Sequence, residues 1–392
     1  MTAYGLALRN LRHQRTRTVI SLAGIGFAVV LMFMQLGFLA SVERTATMLY
    51  DRLDFDLVLI PSEYLDVNRP GSFPRRRLSQ VSAVNGVASV RPLWIRMGFW
   101  RDPRPNVEAR RWNILMLGVR PDELPLVFRN ADHGIFRNAE EVEAARINLT
   151  RKDVVLIDRR SRPEFGSREE LHPGAIMEVN ERRVEIGGDC EIGTGFGANG
   201  LLLTSQATIN QLTHMSPERV TLGLVMAAPG VDPKELKPAL QALLPDALVY
   251  TRPEINEREK NFWMQTTAVG QFFKLGVIVA LIVGVIFVYQ MIAADIRNHI
   301  AEYATCKAIG YRNGFLFQVV LWQANLLALI GFFPGFVASL GIYEVTRQAA
   351  RLPIGMTGPR AVLVLVLTFL MCLCSGALAL RKLRTADPAD LF

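Results

Sequence analysis

Four stretches of the chain are almost continuously apolar: residues 18 to 41, 272 to 294, 315 to 343 and 361 to 380. A helix needs roughly 20 such residues to cross a bilayer core, so the pattern predicts four transmembrane helices. Extended to their flanking residues, these become 18–41, 263–294 (including the end of a stalk), 315–346 and 361–380. Between the first two spans the pattern changes. Short apolar runs at 56–60, 88–100, 113–120, 154–158, 175–180, 182–188, 221–227 and 247–251 read as strands. Helices are expected at 78–85, at 205–213 with Ser205 as N-cap, and at 232–244 with Asp232 as N-cap and Pro233 in the first helical position. The fold class is therefore an α-helical membrane protein with an α+β domain, residues 42–262, inserted between helices 1 and 2.

Two further segments connect these parts. "RPEINEREKNFWMQTTAVGQFFKLG" runs from Pro253 toward the second span with no glycine or proline before Gly270, so a continuous stalk helix is expected. The end of the first span, with Glu43 and Arg44 just beyond it, is its expected partner. In residues 1–17, Tyr4, Leu6, Leu8 and Leu11 share a broad helical face while Arg9, Arg12 and Arg15 lie elsewhere, as in a helix resting on the inner membrane surface. Gly24, Gly26 and Gly37 in the first span would let neighbouring helices approach closely.

The chain has 392 residues and a formal charge of +8, which raises nucleic acid as a partner until the charge is located. Residues 42–262 hold 30 basic and 31 acidic side chains, whereas the rest holds 14 basic and 5 acidic. The excess flanks the apolar runs, which is a topology signal, and no nucleic acid is implied. Arg9, Arg12, Arg15 and Arg17, then Arg297, Lys307 and Arg312, then Arg381, Lys382 and Arg384 mark three cytoplasmic segments, 1–17, 295–314 and 381–392. Arg347, Arg351 and Arg360, in the short loop 347–360, oppose that vote and are outnumbered. The expected location is the bacterial inner membrane, with both termini cytoplasmic and residues 42–262 and 347–360 periplasmic. The first run is too long for a signal-peptide core and "FLASVERTA" has no clean small-x-small cleavage site, so an uncleaved span is expected. Cys190 alone lies in the inserted domain, so no disulfide is expected there.

Chemistry-bearing patterns are sparse. "GFGANG" at 195–200 has the spacing of a dinucleotide-binding turn, but a strand-like "LLLTS" follows where a helix should begin, so it reads as a glycine-rich loop. No Gly-Lys pair exists to build a triphosphate-binding loop. His13, His133, His172, His214 and His299 form no metal-binding spacing, and no serine sits in a nucleophile elbow. Neither metal, cofactor nor catalytic residue is expected. The Arg75–Arg77 and Arg159, Arg160, Arg162 clusters read as solvated surface or, since "PGSFPRRR" looks like an exposed loop, as contacts for a periplasmic partner. Lys274, Glu344 and Arg347 sit near span ends, and no chain of carboxylates crosses the membrane, which disfavours an ion-coupled carrier.

One cytoplasmic stretch stands out. From Asp295 to Gly310, Ile296, Ile300, Tyr303, Ala304, Ala308 and the stem of Lys307 recur at helical steps, with Arg297, Asn298 and Glu302 on the other side. Gly310 follows as a C-cap, and Lys307 lies in the last turn, where its charge complements the helix dipole. From the residues alone, this short amphipathic helix is either a connection resting on lipid or a docking element.

The run "EYATCKAIGYRNGFLFQVVLWQANLLALIGFFPG", Glu302 to Gly335, resembles the cytoplasmic loop and third span of the FtsX-like/MacB-like ABC permeases. "LALRNLRHQRTRTVISLAGIGFAVVLMFMQLGFLAS" resembles the first span of the DevC branch of that family, and "RKLRTADPADLF" is similar to its D-P-A-E ending. Gln323 departs from the glutamate of many relatives. The resemblance implies a homodimeric, non-catalytic permease in the lipid membrane, working with a separate ABC ATPase chain, a periplasmic adaptor (membrane fusion protein) and an outer-membrane channel. It also implies that the loop helix docks on the ATPase through Glu302, Lys307, Ala308, Ile309 and Gly310, with Arg297 and Tyr303 beside them. Lipoprotein extraction and regulation of a cell-wall hydrolase, which relatives of the same topology perform, remain alternatives.

Overall fold

A computed structural model describes residues 4–5, 15–104, 110–129, 134–167, 169–193, 195, 197–298, 313–350 and 352–384. They fall into two compact units. One comprises residues 41–267 with 350–353, and the other the remaining described residues.

The first unit begins within α1 (Arg15–Arg52), a single 38-residue helix. Beyond it lie β1 (Leu57–Pro61), β2 (Phe73–Pro74), α2 (Arg76–Ser82), β3 (Val87–Arg101) and β4 (Trp112–Val119). Next come α3 (Leu124–Val127), α4 (Ala139–Asn148), β5 (Val154–Asp158), β6 (Ile176–Val179), β7 (Arg182–Cys190) and β8 (Leu201–Ser205). The unit closes with α5 (Gln206–Thr213), β9 (Arg219–Val220), β10 (Leu222–Ala227), α6 (Pro233–Leu243), β11 (Ala247–Thr251) and α7 (Arg252–Asn261).

Nine strands form one mixed sheet in the order β11-β1-β10-β3-β4-β8-β5-β7-β6. The far end of β3 also pairs with β6, Trp100 opposite Val179, so β3-β4-β8-β5-β7-β6 returns to its start as a closed circuit. The 15-residue β3 therefore serves two structures: its first half pairs with β10, and its second with β4 and β6. The strands β1, β5 and β8 are buried at every position, which explains their unbroken apolar runs. Alternate side chains still separate by face. Val58, Ile60, Leu115, Leu117, Leu156 and Leu203 join a core with the end of α1, α3 and α7. Leu57, Leu59, Ile114, Met116, Val155 and Leu202 join another core with α2, α5 and α6.

Ser205 and Asp232 cap α5 and α6 as expected, accepting from Thr208 N and Lys234 N. The "PGSFPRRR" stretch is not an exposed loop: Phe73 is buried, β2 pairs with β9, and Arg76 opens α2. The stalk is not continuous either. After α7 the chain makes a π-helical turn, Phe262–Thr266, and Thr267 adopts an extended conformation with ψ 148° that ends it. The Thr267 hydroxyl donates to Trp263 O at 2.6 Å, a local bond that competes with helix continuation.

The second unit contains the first part of α1 with α8 (Ala268–Asn298), α9 (Asn313–Ala350) and α10 (Gly358–Arg384). All four helices are long and apolar enough to cross a membrane. Gly26 meets α9 at Gly331 and Gly335, where a Cβ added to Gly335 would lie 2.8 Å from Gly26 O. Gly37 faces Tyr343, whose hydroxyl donates to Phe33 O. Ser375 of α10 donates to Val285 O of α8 at 2.9 Å. Gln323 is buried. Outward-facing Phe272, Ile278, Phe333, Val337 and Val366 present the apolar surface that lipid covers.

Candidate functional site

The end of α1 is held inside the α/β unit by three sets of contacts. The final carbonyls of a helix lack intrahelical partners and must find others. Here Leu53 N reaches Leu49 O at 3.2 Å and Arg129 N reaches Arg52 O at 2.9 Å. Arg252, the first residue of α7, supplies the rest. Its guanidinium donates to Tyr50 O at 2.8 Å, Leu53 O at 3.0 Å and Phe55 O at 2.7 Å, and it stacks 4.1 Å from the centroid of the Phe55 ring. A cation at a helix C-terminus is favoured by the dipole as well as by the hydrogen bonds. The α7 N-terminus is fixed in turn by a capping box between Thr251 and Glu254.

One turn further along, the two helices meet through side chains. Asn256 donates to Asp51 Oδ1 at 3.0 Å. The Tyr50 and Tyr64 hydroxyls lie 2.7 Å apart, and Tyr64 donates to Glu259 Oε1 at 2.6 Å. Tyr50 and Glu259 are fully buried, and Tyr64 is nearly so. Burial pushes the Glu259 carboxyl up to about 8; the Tyr64 hydrogen bond lowers it, Asp66 raises it, and Arg258 and the Val67 backbone amide lower it. Among the described residues the other carboxyl oxygen, Oε2, accepts no hydrogen bond. Arg258 does not pair with it. Its guanidinium donates instead to Tyr64 O at 2.7 Å and Leu65 O at 3.3 Å.

The third contact is the glycine-rich loop between β7 and β8. A Cβ on Gly195 would lie 2.5 Å from Thr45 Cβ, and one on Gly193, at φ 116°, would lie 2.5 Å from Met48 Sδ. Gly197 is crowded by the Asn68 side chain, with the Trp263 ring 3.1 Å from where its Cβ would lie. Gly193 and Gly195 let the loop backbone lie directly against α1, while Gly197 and Gly200 make room for Asn68, Trp263 and Phe165. A strand, β8, follows the loop. Buried Asp158 anchors it, accepting from Gly193 N at 2.7 Å and Arg160 N at 3.0 Å. A cavity of about 60 Å³ remains between loop and helix, lined by residues that include Met48, Val67 and Trp263.

The sequence-derived coupling residues lie elsewhere. Arg297 falls in the last turn of α8, and Glu302, Tyr303, Lys307, Ala308, Ile309 and Gly310 lie outside the described residues. Arg159 is not solvated surface: its side chain is 6% exposed, with Glu141, Asp189 and Glu191 at 3.7, 3.6 and 3.8 Å. Among the described residues no group of three or more His, Cys, Asp or Glu is placed to hold a metal ion. Sequence reading missed the Tyr50, Tyr64, Glu259 and Arg252 cluster. Its one local signal is the Thr251-x-x-Glu254 capping box at the start of α7.

Four apolar helices and a mixed α/β domain inserted after the first define a multi-pass membrane protein with a large extramembrane domain. Family models make the class specific. Residues 18–243 match the MacB-like periplasmic core domain and residues 274–388 match the FtsX-like permease C-terminal region. The chain belongs to this MacB-like/FtsX-like family, the membrane permease components of ABC transporters, which work with an ABC ATPase. It is also similar to the crystal structure of the periplasmic region of MacB from Actinobacillus actinomycetemcomitans, with 13% identity and a TM-score of 0.35 over 54% of this chain and 96% of that one. A second similar structure is the extracellular domain of the noncanonic ABC-type transporter YknZ from Gram-positive bacteria, with 15% identity and a TM-score of 0.34 over 50% of this chain and 99% of that one. The family assignment rests on the two family models and not on these weaker likenesses. No curated protein matches the chain.

Proposed function

We propose that this chain transmits the ATP-driven motion of a separate ATPase subunit to its own α/β domain, and that two copies do so together in the bacterial inner membrane. The work drives export through a periplasmic adaptor and an outer-membrane channel. The chain itself hydrolyses nothing. One observation carries the reading: α1 is a single helix of 38 residues whose C-terminal end is clamped by Arg252, Tyr64 and the glycine loop. A helix is stiff along its axis, and an end held by three carbonyl hydrogen bonds and a buried side-chain chain passes a push on without slipping. Input enters through the loop of Glu302, Tyr303, Lys307, Ala308, Ile309 and Gly310, with Arg297 at its head, and output leaves through the clamp.

The test separates input from output. Glu302→Arg and Gly310→Pro are expected to insert normally and lose stimulation of the ATPase. Arg252→Ala is expected to keep that stimulation and lose at least about tenfold in export, the effect of a coupling change of about 1.4 kcal/mol. Unchanged export in all three variants would overturn the transmission reading. Co-purification from membranes with an adaptor and a channel supports export. Co-purification with a lipoprotein, or with a peptidoglycan hydrolase, replaces export by extraction or by regulation.

A further inference from the structure

Glu259 serves no bond that a neutral residue could not make more cheaply. It sits at 0% exposure where three separate elements converge: α1 through Tyr50, the β1–β2 connection through Tyr64, and α7 itself. The ionisable and charged groups that face it are Tyr50, Tyr64, Asp66 and Arg258. Asp66 is engaged with Arg69 at 3.3 Å and with Asn68 at 3.2 Å, and Arg258 with the Tyr64 and Leu65 carbonyls. Among the described residues no cation pairs with Glu259 and nothing hydrogen-bonds Oε2. A buried carboxylate held only by the Tyr64 hydroxyl and the nearby Val67 amide, with no counter-ion, is costly, whereas the protonated acid accepts from Tyr64 and stays neutral.

We propose that Glu259 is a proton-operated latch: protonated, it seals α7 against the end of α1, and its ionisation favours an opened joint in which water reaches the carboxylate. This rests on the transmission reading only for its consequence in export, since the latch itself is a local equilibrium between α1 and α7.

The direction in pH follows from proton linkage. A carboxyl raised to about 8 in the closed joint, against an ordinary value of 4.5, holds its proton more tightly closed than open. The closed joint binds more protons than the opened one between those two values, so closure is tightest at acid pH and weakens as pH rises through that window. Opening then grows up to about tenfold per pH unit and levels off once the closed form has also ionised.

The experiment is hydrogen exchange of the full chain in lipid nanodiscs, following α7 and the end of α1 from about pH 6 to about pH 9 after correction for intrinsic exchange. Opening is expected to rise with pH in the wild type and to be flat in Glu259→Gln, which keeps the shape and removes the titration. Tyr64→Phe, which deletes a hydrogen bond that stabilises the ionised form, is expected to move the plateau upward by about one pH unit. Equal pH dependence in wild type and Glu259→Gln, or a wild type without any, overturns the latch. Should Glu259→Gln fold poorly, the Tyr64→Phe shift decides alone, and an unmoved plateau refutes the proposal. A correct exchange pattern with export unaffected by pH leaves the latch standing and refutes the transmission reading.

Discussion

The two units are held together by different devices. In the α/β unit the largest side chains fill the interior: Trp94, Trp100, Tyr50, Tyr64 and Phe55 are all essentially buried, and apolar area removed from water supplies the drive. In the helical unit large side chains such as Met32, Phe33 and Leu327 are buried too, but glycines take up many of the helix–helix contacts. Gly26 against Gly331 and Gly335 brings backbones close, and Gly276 and Gly284 leave room for the side chains of Gln35 and of Met371 and Ala28, while large apolar side chains such as Phe272 and Ile278 face outward. Lipid is as apolar as leucine, so burying leucine between helices gains little, and close fit takes over. Large side chains fill both cores, but the helical unit depends on glycine for its closest helix–helix contacts.

That contrast predicts an order of effects. Gly335→Leu forces a side chain into Gly26 O and Val29, both 2.8 Å from its Cβ, and is expected to abolish the folded helical unit, read as loss of full-length protein from membranes. In the α/β unit the damaging change is the reverse. Trp94→Ala empties a fully buried site and leaves Arg219 O without its 2.9 Å donor, and is expected to destabilise that unit by about 3–5 kcal/mol in denaturant unfolding. Ile278→Ala, a large-to-small change on an outward face, is expected to shift thermal stability by less than about 0.5 kcal/mol. If Ile278→Ala proved as costly as Trp94→Ala, that face would be covered by protein and not lipid.

Much of the α/β unit was legible because its signals are local. The fully buried "VVLID" and the alternately buried "ALVYT" announce themselves as apolar runs, and Ser205 and Asp232 mark helix starts within three residues of the amides they cap. Helix α4 carried the same kind of mark, Asn138 accepting from Glu141 N with acids in the first turn, and was missed for want of an apolar stripe. The return of β6 onto β3 leaves no trace in periodicity, since a strand's pattern records which faces are buried and not its neighbours. The clamp was hidden for a plainer reason. Tyr64 and Glu259 are 195 residues apart, and Arg252 looks like any surface arginine until the carbonyls it serves are in place. The stalk was misread because breakers were sought only among glycine and proline, while Thr267 ends the helix by turning its hydroxyl back on Trp263.

The double duty of β3 also constrains how this chain tolerates change in length. Apart from one irregularity at its start, where Ala88 is skipped between the Ser89–Met226 and Val87–Ala227 pairs, its residues keep register with β10 at one end and with β4 and β6 at the other. Deleting one residue midway would turn every later side chain to the opposite face, sending Trp100 outward and Phe99 inward along the closed circuit while the β10 side stayed in place. Over evolutionary time this strand should accept substitutions freely at its outward positions and almost never an insertion or a gap.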